Sequence, residues 1–238
     1  MKASNPSRRT ADQLTHRTAV FPLLKQRRQH QSNIWFFESP KNCERIAIHS
    51  DLAFMHLVLL EGDPAVVRYQ VEQLNSHAAQ ETPNGDERAA ATVYMRDGAV
   101  QWWDFQREQQ SVRRRGAFTQ DCSSGATKAA AAIAAGAAYH VKTDQDLMGK
   151  EILFDNWLTL CALMSRCRNQ FLGRETGVML NALATGQSLR LGYLADLPGI
   201  DPALMHGAVA HAMQSGVIFS NLATQMLGRS SFLSLVPQ

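Results

Sequence analysis

The chain has 238 residues, 45% of them hydrophobic, and a net charge of +3. That length holds one large domain or two small ones, and that apolar fraction predicts a packed core rather than a disordered chain. No apolar run reaches roughly eighteen residues, so no membrane span is expected. The charged N-terminus lacks the apolar core of a secretory signal, and the cytoplasm is the expected location.

The charge is unevenly spread. Lys2, Arg8, Arg9, Arg17, Lys25, Arg27 and Arg28 face a single acid, Asp12, in the first stretch, which reads as a basic flexible arm over 1–32. A second basic run is Arg113-Arg114-Arg115. Clustered cations neutralise phosphates and release counterions, so nucleic acid is a candidate partner; a solvated face is the alternative. Cys43, Cys122, Cys161 and Cys167 have no C-x-x-C spacing and read as reduced thiols.

After the arm, residues 33–37 and 45–49 read as short strands around a Ser39-Pro40-Lys41-Asn42 turn. Ser50 is placed to cap a helix in which Leu52, Met55, Leu59 and Leu60 recur at helical spacing, until Gly62-Asp63-Pro64 stops it. A strand is expected over 65–73, then a polar stretch with the turn cluster Pro83-Asn84-Gly85-Asp86. Strands over 89–95 and 100–105 meet at Arg96-Asp97-Gly98, a strong hairpin signal. Trp102 and Trp103 are adjacent, so one points to the core and the other is a candidate DNA or protein contact, unless helices cover both. A polar connection leads to a helix over 128–136, a strand over 139–141, a helical region from Thr143 and an apolar-striped helix over 156–168.

Near Gly173 the pattern changes to helix, short strand, helix, helix, hairpin. Asp201-Pro202 starts the third of these helices, with an acid at the cap and proline in the first turn, and Ser215-Gly216 ends it. Val217 to Phe219 and Ala223 to Leu227 are the expected arms of a wing.

These segments resemble TnsA, the endonuclease subunit of heteromeric cut-and-paste transposases. The likeness runs from about Trp35 to the C-terminus. It rests on Phe37-Glu38-Ser39-Pro40, on the helix from Ser50 running into Asp63-Pro64-Ala65-Val66-Val67-Arg68-Tyr69, on the hairpin from Val93 to Phe105, and on Tyr139-His140-Val141-Lys142-Thr143 leading to Asp155-Asn156-Trp157. The resemblance implies an α/β restriction-endonuclease-like core over 33–170 followed by a small winged-helix domain over 171–238. It implies double-stranded DNA, a DDE transposase and an ATPase regulator as partners.

The resemblance also implies where catalysis would sit. Mg²⁺-dependent phosphodiester hydrolysis needs carboxylate oxygens for the metal and a cation beside the attacking water. The family's glutamate lies ten residues before the Asp of Asp-Pro, which here is Ala53. Its aspartate lies seven before the hairpin Asp97, at Ala90, and its lysine nine after, at Gln106, with Asp104 two before that. Only Asp104 retains an oxygen ligand, so a degenerate site holding no metal is expected. Asp51, Asp86 and Glu87 lie nearby, and a nuclease with relocated Mg²⁺ ligands is the rival. Asp51 is about 200° round the helix from Ala53. A winged-helix regulatory or architectural DNA binder and a protein-only structural subunit are the other readings. Expected DNA contacts are Arg113, Arg114, Arg115, His206, His211, Gln214 and Arg229. Zinc-ligand histidine spacing, a Walker loop and a nucleophile elbow do not occur.

Overall fold

The computed structural model describes residues 33–72, 89–107 and 121–237. The 1–32 arm, the turn cluster at Pro83, the acids Asp86 and Glu87, and Arg113, Arg114 and Arg115 lie outside them.

Strands β1 (Ile34–Ser39) and β2 (Glu44–His49) form an antiparallel hairpin with Ile34 opposite His49 and Ser39 opposite Glu44. Alternation turns Phe37, Ser39, Ile46 and Ile48 inward. Ser50 follows at φ 109°, an unusual conformation for a residue with a side chain. Its amide donates to the Asn33 carbonyl, and its hydroxyl accepts from the Ala53 amide, capping helix α1 (Asp51–Glu61). Eight of the eleven α1 residues are buried. The expected single stripe is therefore incomplete: Phe54, His56, Leu57 and Val58 are buried beside Leu52 and Leu60. A helix enclosed on most sides loses its polar face.

Gly62 ends α1 under Trp157, where a Cβ would stand 2.1 Å from the indole ring. The chain then enters a four-stranded sheet made of β3 (Val66–Val71), β4 (Ala91–Met95), β5 (Val100–Phe105) and β6 (Ala138–Lys142), in the order β3-β4-β5-β6. The first two pairings are antiparallel and β5–β6 is parallel. Helix α2 (Asp121–Ala134) supplies the crossover and packs on β6. It begins at Asp121, upstream of the expected Lys128. Helix α3 (Glu151–Cys167) begins at Glu151, upstream of the expected 156.

The C-terminal elements are α4 (Gly173–Leu183), β7 (Leu189–Arg190), α5 (Leu191–Ala195), α6 (Pro202–Gln214), β8 (Ile218–Ser220) and β9 (Phe232–Leu235). The three short strands form an antiparallel sheet in the order β7-β9-β8. The second arm beside β8 is Phe232–Leu235, not the expected 223–227. Asn156 of α3 explains the difference. Its side-chain amide donates to the Leu222 and Gln225 carbonyls at 2.8 Å each, and its oxygen accepts from the Leu227 amide at 2.7 Å. Those backbone groups are held by a side chain and are not free to pair with β8.

One apolar cluster runs through both parts of the chain, from Phe37 and Leu57 through Trp157 and Met164 to Met205 and Leu233. Helix α6 packs on α3. Gly207 allows that approach, since a Cβ there would lie 2.6 Å from the Cys167 sulfur. The molecule is a mixed α/β protein. No helix among the described residues is long and apolar enough to cross a membrane.

Candidate functional site

Strand alternation sorts β5 between two faces. Trp103 and Phe105 point toward α1, where both rings meet His56. Asp104 points to the other face and is buried. Its Oδ1 accepts the Ala90 amide at 3.0 Å. Its Oδ2 accepts Lys128 Nζ of α2 and the Tyr139 hydroxyl of β6, each at 2.8 Å. Burial and the neighbouring carboxylate push the Tyr139 phenol well above its ordinary range. The carboxylate thus has three donors, two of them on Oδ2, and the Lys128 ammonium competes there with any metal.

The other expected positions divide around it. Ala90 is joined to Asp104 through its amide, from the start of β4. Ala53 is buried in the apolar cluster at the start of α1. Gln106 is exposed, and its amide donates to the Lys142 carbonyl, extending the β5–β6 ladder. Asp51 is committed elsewhere: its Oδ1 accepts Asn33 Nδ2 at 2.9 Å and Trp35 Nε1 at 2.7 Å, and Arg107 lies 4.0 Å from its Oδ2. The bond from Asn33, then that from Trp35, holds its pKa below the ordinary value. Among the described residues no three His, Cys, Asp or Glu side chains gather as a metal site.

Lys128 and Tyr139 were missed in the sequence. A signal for Lys128 exists: it is the one long cation opening an alanine run that continues to Ala132. Small residues let a helix approach a sheet, and a lone lysine there needs an acid. Tyr139 is legible only from the parallel register, which sets it opposite Trp102 and so diagonally beside Asp104. Trp103 is the inward indole, and Trp102 is half-buried.

A second polar centre was also missed. Glu61, at the end of α1, has no exposed surface. It accepts from the Ser39 hydroxyl, from Tyr69 Oη at 2.6 Å, from the Lys41 amide at 2.9 Å and from Gln214 Nε2 at 2.9 Å. Burial raises its pKa, and the hydrogen bonds from Ser39, Tyr69 and the Lys41 amide partly offset the shift. Burial, then the charge of Glu61, pushes up the nearby Cys161 thiol.

The expected DNA contacts on α6 are differently placed. Seven of the thirteen α6 residues are buried. Gln214 turns inward to Glu61, and half-buried His206 bonds through Nδ1 to the Pro202 carbonyl. His211 is exposed at the rim of a cleft, and partial burial holds its pKa below the ordinary value. Arg229 forms an exposed ion pair with Asp196.

No family model matches this chain, and no curated protein matches it.

Proposed function

We propose that this protein is a catalytically silent, TnsA-like subunit that binds double-stranded DNA beside a DDE transposase and its ATPase regulator. The succession α1, three antiparallel strands, α2 and a parallel strand matches the order expected of a restriction-type nuclease core. The succession α4, β7, α5, α6, β8, β9 matches that of a winged helix. The carrying observation is Asp104: the one acid left at the expected site is hydrogen-bonded by Lys128, Tyr139 and the Ala90 amide. With this subunit in the place of an active one, only the transposase's strand is cut, and the product is a replicative joint molecule.

Lys128 also favours a second reading, a nuclease with relocated groups, because it brings a cation to Asp104 from α2 while Gln106 carries none. Against that reading, no group of three His, Cys, Asp or Glu side chains forms a metal site among the described residues.

Fluorescence anisotropy on duplex DNA across a salt series tests the DNA-binding part. Affinity should fall with salt, with a slope of roughly 0.9 per phosphate neutralised. Changing Arg113, Arg114 and Arg115 together to alanine should flatten that slope. Salt-independent binding, or none even with the transposase present, would favour a protein-only subunit.

A further inference from the structure

A polar-rimmed cleft with a volume of about 760 Å³ lies between the β1–β2 turn, β3, the β4–β5 turn, α4 and α6. Its walls are mostly apolar, with Val66, Val67, Leu180 and Val217 among them. Val67 and Val217 are 53% and 42% exposed, so the mouth is open and apolar. Lys41 and Arg96 reach it from the two turns, and His211 stands on the α6 side. No carboxylate is among the described residues that line it.

The two cations are unequally committed. Lys41 Nζ donates to the Asp63 carbonyl at 2.7 Å; burial disfavours its charge most, the Glu61 and Asp63 carboxylates favour it, and Arg96 opposes it. Arg96 is exposed, and among the described residues no acid pairs with its guanidinium. The one nearby buried acid, Glu61, is already occupied by four donors. Two like charges beside an apolar cleft, without a lining acid, complement a ligand that brings both an anion and an apolar stem.

We propose that this cleft binds an organic carboxylate joined to an apolar stem, with the carboxylate on Arg96 and Lys41 and the stem against Val67, Leu180 and Val217. Two sources carry that chemistry: a free organic acid, and an acidic side chain within an apolar peptide. The site does not depend on DNA binding, and its test uses no DNA.

The probe is anilinonaphthalene sulfonate, an apolar anion whose fluorescence rises on burial, titrated into the full chain. Saturable binding at one site is expected, with affinity falling about tenfold in Arg96→Gln. Val217→Asp, which places a like charge at the mouth, should weaken it similarly. Decanoate should displace the probe and decanol should not. Displacement by a short leucine–glutamate peptide better than by decanoate assigns the ligand to a partner protein, and the reverse assigns it to a free acid. No saturable binding, affinity unchanged from the parent in Arg96→Gln and Val217→Asp, or equal displacement by decanol would overturn the proposal.

Discussion

Asp104 and Lys128 form a largely buried ion pair, and the cost of breaking it exceeds the benefit of making it. Both charges have left water, so removing one partner strands the other. Lys128→Met leaves Asp104 with only Tyr139 and the Ala90 amide. It should lower unfolding free energy by about 3 kcal/mol, toward the lower end for buried pairs because Lys128 keeps some exposure. Urea denaturation measures this, and an unchanged midpoint would show the pair to be idle. Glu61 makes a second residue-scale case. All four of its partners are donors, so Glu61→Gln sets an amide NH₂ against donors and should cost roughly 1–3 kcal/mol at neutral pH. The pH dependence has a definite sign. The folded pKa of Glu61 is raised, so its contribution is full below the unfolded value and declines as pH rises through the raised one. The stability gap between the parent and Glu61→Gln should therefore narrow from acid toward neutral pH. A gap that widened would contradict the assigned burial.

Between elements, Asn156 does the work that strand pairing does elsewhere. One side chain of α3 satisfies two carbonyls and one amide in the segment between β8 and β9. Asn156→Leu keeps the bulk and removes all three bonds. It should destabilise by at least about 2 kcal/mol and speed hydrogen exchange at the Leu227 amide. Unaltered exchange there would mean that the loop is held by packing alone. The same residue marks the limit of what the sequence discloses. Signals that act within a few residues were legible. Asp97-Gly98 makes the hairpin with Gly98 at φ 87°, and Asp201 caps α6 by accepting the Ala203 and Leu204 amides. The position of β9 was not legible, because it depends on Asn156, distant in the chain. The burial of α6 and the inward turn of Gln214 depend likewise on Glu61, Cys167 and α3. At the candidate site, Ala53, Ala90 and Gln106 could be found by counting. Lys128 and Tyr139 required the crossover helix and the parallel register.

For the whole molecule, one apolar cluster joins the four-stranded sheet to the C-terminal elements. Asn156 and the Glu61–Gln214 bond tie the same two parts with polar contacts. A helix so enclosed leaves little free face for groove reading, so basic side chains outside α6 should dominate DNA contact. The central claim is that this protein holds DNA without cutting it. The most direct measurement is supercoiled plasmid incubated with the protein and Mn²⁺, run on a gel before and after the protein is stripped away. Retarded plasmid before stripping and fully supercoiled plasmid after it is the predicted result. Nicked or linear plasmid after stripping, or no retardation before it, would contradict the account.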